Sequence, residues 1–277
     1  MKLRIFSALI KLIGNLFKVK LDIKNHNGED LLTYPEIQWV LTPFPKFKGH
    51  VYNSDNLATV NRHNFINEPR FIQAEKIARK RWTDSNRDIS WRLHTVLWAA
   101  GNALKSNIDS SMIVECGTGR GFMAAAIINY YNFDDNSPDF YLIDTFSKKL
   151  VQLDGKDICS PAEFAYSDDV DEVKKYFSQS STVHVLQGLI PDILKDLPNK
   201  DISFLHVDLN SASAEKGALD FLTNKLVSGS IVLFDDYGGY GGEEQALMHE
   251  SFAAKHSQDL FICPTGQAFI IWKTTYD

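Results

Sequence analysis

Cysteine is scarce in this chain of 277 residues, and its three cysteines, Cys116, Cys159 and Cys263, form no CxxC pair. An odd number of widely spaced cysteines supports neither a disulfide framework nor a zinc site, and it favours a reducing cytoplasm. The sequence also lacks an apolar run long enough for a membrane-spanning helix. It has no long block of Lys or Arg and a net charge of −6. These features argue against a protein that binds duplex nucleic acid, since such a protein normally shows a basic stripe.

The hydrophobic content of 44% is sufficient for one large α/β domain with an extension, or for two small domains. We predict an N-terminal extension over residues 1–88. It begins with MKLRIFSALIKLIGNLFKVKL, in which apolar residues near helical spacing alternate with Lys and Arg. Such a basic amphipathic helix could make peripheral membrane contact through residues 2–20. The alternative, which we favour, is a helix that packs on the domain or on another subunit of a homo-oligomer.

The rest of the extension is predicted to be largely irregular. Prolines at positions 35, 43, 45 and 69 break any long element between residues 20 and 88. We expect this region to close over a site or to form an oligomer contact.

From residue 89 onwards, strand and helix patterns alternate. SMIVEC, FYLID, TVHVLQG, ISFLHVD and SIVLFDD are short apolar runs, and helical patterns separate them. The tail DLFICPTGQAFIIWK breaks this order, because two apolar runs around Pro264, Thr265 and Gly266 predict an antiparallel hairpin. For residues 89–277 we therefore predict an α/β fold with a Rossmann-like, doubly wound, mostly parallel seven-stranded sheet.

Polar or glycine residues follow each predicted parallel strand. Ligands of open parallel sheets bind at the carboxyl ends of the strands, so these positions are the candidate site. They are Glu115 with Gly117, Gly119 and Gly121; Asp144; Gln187 with Gly188; Asp208; and Asp235 with Asp236.

The glycine segment VECGTGRG precedes a predicted helix whose N-terminus can receive an anionic group. Its spacing is G-x-G-x-G and differs from the G-x-G-x-x-G of dinucleotide binders, so a structural turn is about as consistent with it. Asp144 ends the next strand, where a carboxylate can accept hydrogen bonds from both hydroxyls of a ribose. A cap or turn is the alternative for Asp144, but the neighbouring glycine loop favours a nucleoside site.

Three acids follow the last two parallel strands. Asp208, Asp235 and Asp236 would repel one another unless a cation or protons neutralised them. Ligation by oxygen alone suits Mg²⁺, Mn²⁺ or Ca²⁺ rather than zinc. The alternatives are a helix cap for Asp236 and a surface turn for Asp208. His206 shares a sheet face with Asp208, either near the cofactor or as a hydrogen-bonded core residue.

With these residues the chain resembles the class I S-adenosylmethionine-dependent methyltransferases. The shared marks are E-x-G-x-G-x-G after the first strand, an acid ending the second, and the terminal hairpin. The segments VHVLQGLIPDIL, FLHVDLN and IVLFDDYGGYGGEEQALMHESFAAKH narrow the resemblance to the macrocin and novobiocin-type metal-dependent O-methyltransferases. Enzymes of that family act on hydroxyls of sugars and natural-product cores.

The resemblance implies roles for the strand-end residues. Gly117, Gly119 and Gly121 would hold the methionine part of S-adenosylmethionine, and Asp144 would hold its ribose. Asp208, Asp235 and Asp236 would bind one divalent cation. The chain departs from the family pattern at Asn210–Ala212, where a second Asp followed by Leu-Tyr is usual, so substrate contacts in that loop are not transferred.

We therefore expect an S-adenosylmethionine-dependent O-methyltransferase that uses Mg²⁺ or another hard divalent cation. Its partner would be a small-molecule acceptor such as a sugar, with Asp208 as the catalytic residue that accepts the hydroxyl proton. We expect a cytoplasmic location, at the inner membrane surface if residues 2–20 bind lipid. Two alternatives stay open: a nicotinamide-dependent oxidoreductase on the same sheet, and a non-catalytic S-adenosylmethionine-binding protein.

Overall fold

The computed structural model describes residues 52–59, 61–81, 87–106, 108, 110–147, 152–153, 156–157, 169–238 and 242–274. The predicted amphipathic helix of residues 2–20 lies outside these residues. So do Gly239, Tyr240 and Gly241, in the loop after the Asp235–Asp236 pair.

Seven strands form one sheet, in the spatial order β10-β11-β9-β8-β3-β4-β7. Five consecutive strands of this order, from β9 to β7 at the edge, run parallel, while β11 and β10 are antiparallel. The predicted parallel sheet and terminal hairpin are therefore confirmed. The strands are β1 (Tyr52–Ser54), β2 (Leu57–Thr59), β3 (Met112–Cys116), β4 (Asp139–Asp144), β5 (Gln152–Leu153), β6 (Lys156–Asp157), β7 (Val183–Gln187), β8 (Ile202–Val207), β9 (Leu226–Phe234), β10 (Leu260–Ile262) and β11 (Ala268–Ile271).

Helices cover both faces of this sheet, as expected for a doubly wound fold. Side chains that alternate along β3 enter different cores: Ile113 packs with α1–α4, and Val114 packs with α5 and α6. None of the helices in the described part of the chain is long and apolar enough to cross a bilayer. They are α1 (Pro69–Ala78), α2 (Ser90–Lys105), α3 (Phe122–Tyr131), α4 (Val170–Phe177), α5 (Ala212–Leu222) and α6 (Glu243–Lys255).

The irregular structure predicted for residues 20–88 is wrong for two segments of it. Pro69 begins α1, because the first turn of a helix tolerates a residue without an N–H group. Asp55 and Asn56 adopt positive φ angles of 53° and 59° between β1 and β2, a two-residue turn that Asp and Asn tolerate. Phe71 of α1 belongs to the same core as α3, although it precedes residue 89.

The strand order creates the crevice in which ligands of such sheets bind. The chain leaves β3 towards β4 on one side, and it later returns to pair β8 with β3 on the other. The carboxyl ends of β3 and β8 therefore flank the topological switch point of the sheet. The glycine loop and Asp208 follow these two strand ends.

Candidate active site

Backbone hydrogen bonds extend the parallel sheet by one residue and place the acidic positions side by side. The N–H of Asp208 donates to the carbonyl oxygen of Cys116 at 2.8 Å, and that of Asp235 donates to Val207 at 2.9 Å. Gly117 packs so closely that a Cβ there would lie 1.6 Å from the main-chain oxygen of Asp208. The glycine loop and the acids thus share one end of the sheet, as predicted.

Asp144 lies beside the glycine loop. Its Oδ2 accepts a hydrogen bond from the Gly119 N–H at 2.8 Å, and its Oδ1 accepts one from the Phe146 N–H at 2.9 Å. These amides fix the orientation of the carboxylate at the tip of β4. Oδ1 also accepts a hydrogen bond from Thr145 Oγ1 at 3.3 Å, whereas Oδ2 keeps a second lone pair with which Asp144 can accept a ribose hydroxyl.

Gln187 and Gly188 border the same crevice from β7. The N–H of Gly188 donates to the carbonyl oxygen of Asp144 at 3.0 Å, and the Gln187 amide donates to that of Thr145 at 3.2 Å. A Cβ at Gly188 would meet the Ile193 side chain at 2.8 Å, so packing alone requires glycine there. Their participation in cofactor binding stays a prediction.

Glu115 forms a buried pair with His206 on the neighbouring strand. The Nδ1 atom of His206 lies 3.0 Å from Glu115 Oε1, and the side chains of His206 and Glu115 are 1% and 2% exposed. Burial lowers the pKa of His206, but the adjacent Asp235 and Glu115 outweigh burial and raise it to about 10. His206 is therefore a charged core residue, and a cofactor contact by Glu115 remains a prediction.

The three acids lie close together at the ends of β8 and β9. One carboxylate oxygen from each of Asp208, Asp235 and Asp236 lies within 4.8 Å of the others. Two oxygens that each lie about 2.0–2.6 Å from one ion are separated by at most about 4–5 Å, so the cluster has the dimensions of a cation site. Oδ2 of Asp236 is buried without a hydrogen-bond partner among the described residues, as an unfilled ligand position would be. The residues therefore fit a hard divalent cation.

Burial and mutual repulsion make it unfavourable for all three acids to be ionised without a cation. Burial, and then the charges of Asp235 and Asp236, raise the pKa of Asp208 well above its ordinary value. Burial and the charge of Asp235 raise the pKa of Asp236 to about 7. Burial acts in the same direction on Asp235, but Arg92 and His206 hold its pKa well below the ordinary value. One permanent negative charge thus stands beside two carboxyl groups whose ionisation is disfavoured.

Arg92 and Gln267 contact Asp235, and the sequence did not single out either residue. Arg92 Nη1 donates to Asp235 Oδ2 at 2.6 Å, and Gln267 Nε2 donates to Oδ1 at 2.7 Å. A signal was present for Arg92, because it lies three residues after Ile89 and four before Val96, both buried. A charged residue at that spacing lies on the buried face of a helix.

His249 is a buried side chain rather than an exposed one. Its ring is fully buried against Phe234, and its Nε2 lies 2.7 Å from Oε2 of the buried Glu215. A direct contact with a substrate would require this packing to open.

A family model described as a methyltransferase domain matches residues 114–237. These residues extend from β3 to the position after Asp236 and include every site residue predicted from the sequence, but not Arg92 or Gln267. Among curated proteins, no sequence matches this chain significantly.

Several solved methyltransferases have similar structures. The O-methyltransferase NovP matches with a TM-score of 0.53 at 18% identity, over 65% of this chain and 78% of NovP. The calicheamicin methyltransferase CalS11 gives 0.53 at 16% identity, over 83% of this chain and all of CalS11. A putative caffeoyl-CoA O-methyltransferase from Staphylococcus aureus gives 0.51 at 12% identity, over 76% and 94%.

At these identities the structural likeness establishes the fold alone, and the methyltransferase-domain model covers less than half of the chain. The chain is therefore similar to that domain over residues 114–237, and its fold is similar to that of the O-methyltransferases NovP and CalS11.

Proposed function

We propose that this protein methylates a hydroxyl of a sugar or a related natural product, using S-adenosylmethionine and one divalent cation. The observation that carries the proposal is the packing of Gly117 against Asp208, which sets the glycine loop directly beside the three-acid cluster. A methyl donor on the loop and an acceptor at the acids would then be neighbours. CalS11, which has the same fold, is described as a TDP-rhamnose 3′-O-methyltransferase, and this supports a sugar acceptor.

On the cofactor side, Gly117, Gly119 and Gly121 would hold the methionine part, and Asp144 would accept hydrogen bonds from the ribose. Oγ1 of Thr118, within this loop, is buried without a hydrogen-bond partner among the described residues, which fits a loop that awaits a ligand. Gln187 and Gly188 would border the nucleoside from β7, and Glu115 would support the loop from beneath.

On the acceptor side, Asp208, Asp235 and Asp236 would hold the cation. A divalent cation bound there would lower the pKa of an acceptor hydroxyl, as it does for water. Asp208 is suited to accept the proton, because its carboxylate receives no hydrogen bond from the described residues while Asp235 is held by Arg92 and Gln267. S-adenosylmethionine held on the glycine loop would supply the methyl group to the acceptor oxygen, and its sulfur would keep the electron pair of the broken carbon–sulfur bond. Holding the reactants in line is the main contribution of the protein.

Asp144→Asn is expected to weaken the binding of S-adenosylhomocysteine by about 1–3 kcal/mol, the scale of a lost charged hydrogen bond. Asp139→Asn is the matched control, because Asp139 begins the same strand and pairs with His184 and Lys200 away from the crevice. Isothermal titration calorimetry on the three proteins measures both effects.

Equal affinities of wild type and Asp144→Asn would remove Asp144 from the cofactor site. The same titration with NADH addresses the oxidoreductase alternative, which predicts that NADH binds and S-adenosylhomocysteine does not. The methyltransferase proposal predicts the reverse.

A further inference from the structure

Arg92 joins three segments of the chain at the edge of the acid cluster. Its Nε donates to Oδ2 of Asp55 at 2.9 Å, in the turn between β1 and β2. Its Nη1 donates to Asp235 twice, to Oδ2 at 2.6 Å and to the main-chain oxygen at 2.7 Å. Its Nη2 donates to the main-chain oxygen of Thr265 at 3.3 Å. All three nitrogens of a guanidinium that is only 11% exposed are thus in use.

One ion pair would be enough to neutralise the charge of Asp235, but its side chain and main chain are held by several contacts. Arg92 holds both the carboxylate and the backbone of Asp235, and Gln267 holds the other carboxylate oxygen. Oδ2 keeps a lone pair for a further bond, whereas Oδ1 also lies 3.7 Å from His206 Nε2. Asp236, by contrast, has a buried Oδ2 without a partner among the described residues. The cluster therefore contains one carboxylate that is already held in a fixed orientation, that of Asp235. It also contains one that lacks a partner among the described residues, that of Asp236.

Asp55 in turn orients Arg92. Its side chain is 3% exposed, and it accepts hydrogen bonds from Arg92 at Oδ2 and from Arg87 at Oδ1. The turn that carries it is thus tied through one guanidinium to the end of β9. A buried carboxylate shared by two arginines is expensive to desolvate, and such an arrangement fixes geometry more than it adds stability.

We infer that Arg92 is a positioning residue, which presents Asp235 to the cation and is itself held by Asp55. This inference rests on the proposed function, since it concerns the same cation. A charge role and a positioning role for Arg92 predict changes of opposite sign in the affinity for the cation. If Arg92 acted on the cation only through its positive charge, its loss would strengthen cation binding. If it acts by positioning, a variant that keeps the charge but loses the planar fork weakens binding.

Arg92→Lys is that variant, and Arg87→Lys is its matched control, because Arg87 contacts the same Asp55 but not Asp235. The probe is Mn²⁺, added to metal-free protein and followed by the electron paramagnetic resonance signal of the free ion. We expect Arg92→Lys to bind Mn²⁺ at least about 10-fold more weakly than wild type, the range for residues that orient metal ligands. Arg87→Lys should change the affinity less than about 3-fold, and both variants should bind S-adenosylhomocysteine as wild type does.

Wild-type affinity for Mn²⁺ in Arg92→Lys, or tighter binding, overturns the inference and leaves the proposed function intact. Absence of Mn²⁺ binding by the wild type overturns the cation proposal and this inference together. If Arg92→Lys fails to fold, Asp55→Asn decides, because Asn keeps the shape and tolerates the positive φ of the turn. It should weaken Mn²⁺ binding several-fold, and unchanged binding would contradict the inference.

Discussion

Asp208→Asn is expected to lower the rate of methyl transfer by at least about 100-fold, the lower end for loss of a positioned proton acceptor. On the proposed function, the substitution removes the group that would accept the hydroxyl proton and one charged ligand of the cation at the same time. Asp236→Asn would remove a ligand only, so its loss of rate should be smaller. Neither change should affect S-adenosylhomocysteine binding strongly, because Asp144 and the glycine loop follow other strands.

The rate is measured with S-adenosylmethionine labelled in its methyl group and TDP-rhamnose, or another sugar acceptor that the wild type turns over. Asp201→Asn is the matched control, since Asp201 is exposed and precedes the opposite end of β8. Asp208→Asn with wild-type activity would show that neither proton transfer nor cation binding depends on this carboxylate.

Gly117→Ala is expected to destabilise the fold by about 1–3 kcal/mol more than Gly229→Ala, the cost of forcing extra atoms into a packed site. The two glycines have almost the same backbone, with φ of +94° and +93°, so the conformational strain of alanine is matched. They differ in the free space around the position that a Cβ would occupy. A Cβ at Gly229 meets nothing nearer than 3.9 Å, whereas one at Gly117 would lie 1.6 Å from the Asp208 main-chain oxygen.

Urea unfolding of both variants measures this difference. To relieve the clash, the ends of β3 and β8 must separate, and this would also move Asp208 away from the glycine loop. We therefore expect Gly117→Ala, but not Gly229→Ala, to bind S-adenosylhomocysteine weakly. Equal free energies of unfolding and equal cofactor affinities would show that this close approach is unimportant.

The parallel strands and their polar ends could be predicted from sequence because both are local patterns. Apolar runs such as Ile202–Val207 stop at a carboxylate or glycine, and parallel strands must then bring those ends together. The turn at Asp55–Asn56 and the helix that begins at Pro69 were also encoded locally. A reading of proline only as a helix breaker misses the helix that begins at Pro69, because proline favours the first turn of a helix. The turn could have been predicted from Asp55 and Asn56, because Asp and Asn tolerate positive φ angles.

The pairs that support the site could not be predicted in this way. Glu115 and His206 are opposite each other only because β8 pairs with β3, a neighbour that is distant along the chain. Arg92 reaches Asp235 across 143 residues. Contacts of this kind depend on the strand order and on how α2 packs against the sheet. They produce no periodic pattern in the sequence from which they could be predicted.

The central claim is that the three acids hold one cation beside the methyl-donor site. The most direct test is a titration of metal-free wild type and Asp236→Asn with Mn²⁺, with the free ion followed by electron paramagnetic resonance. The account predicts one saturable Mn²⁺ per wild-type chain and at least about 10-fold weaker binding by Asp236→Asn, with S-adenosylhomocysteine affinity little changed. Absence of saturable Mn²⁺ binding by the wild type, or equal binding by the two proteins, would contradict it.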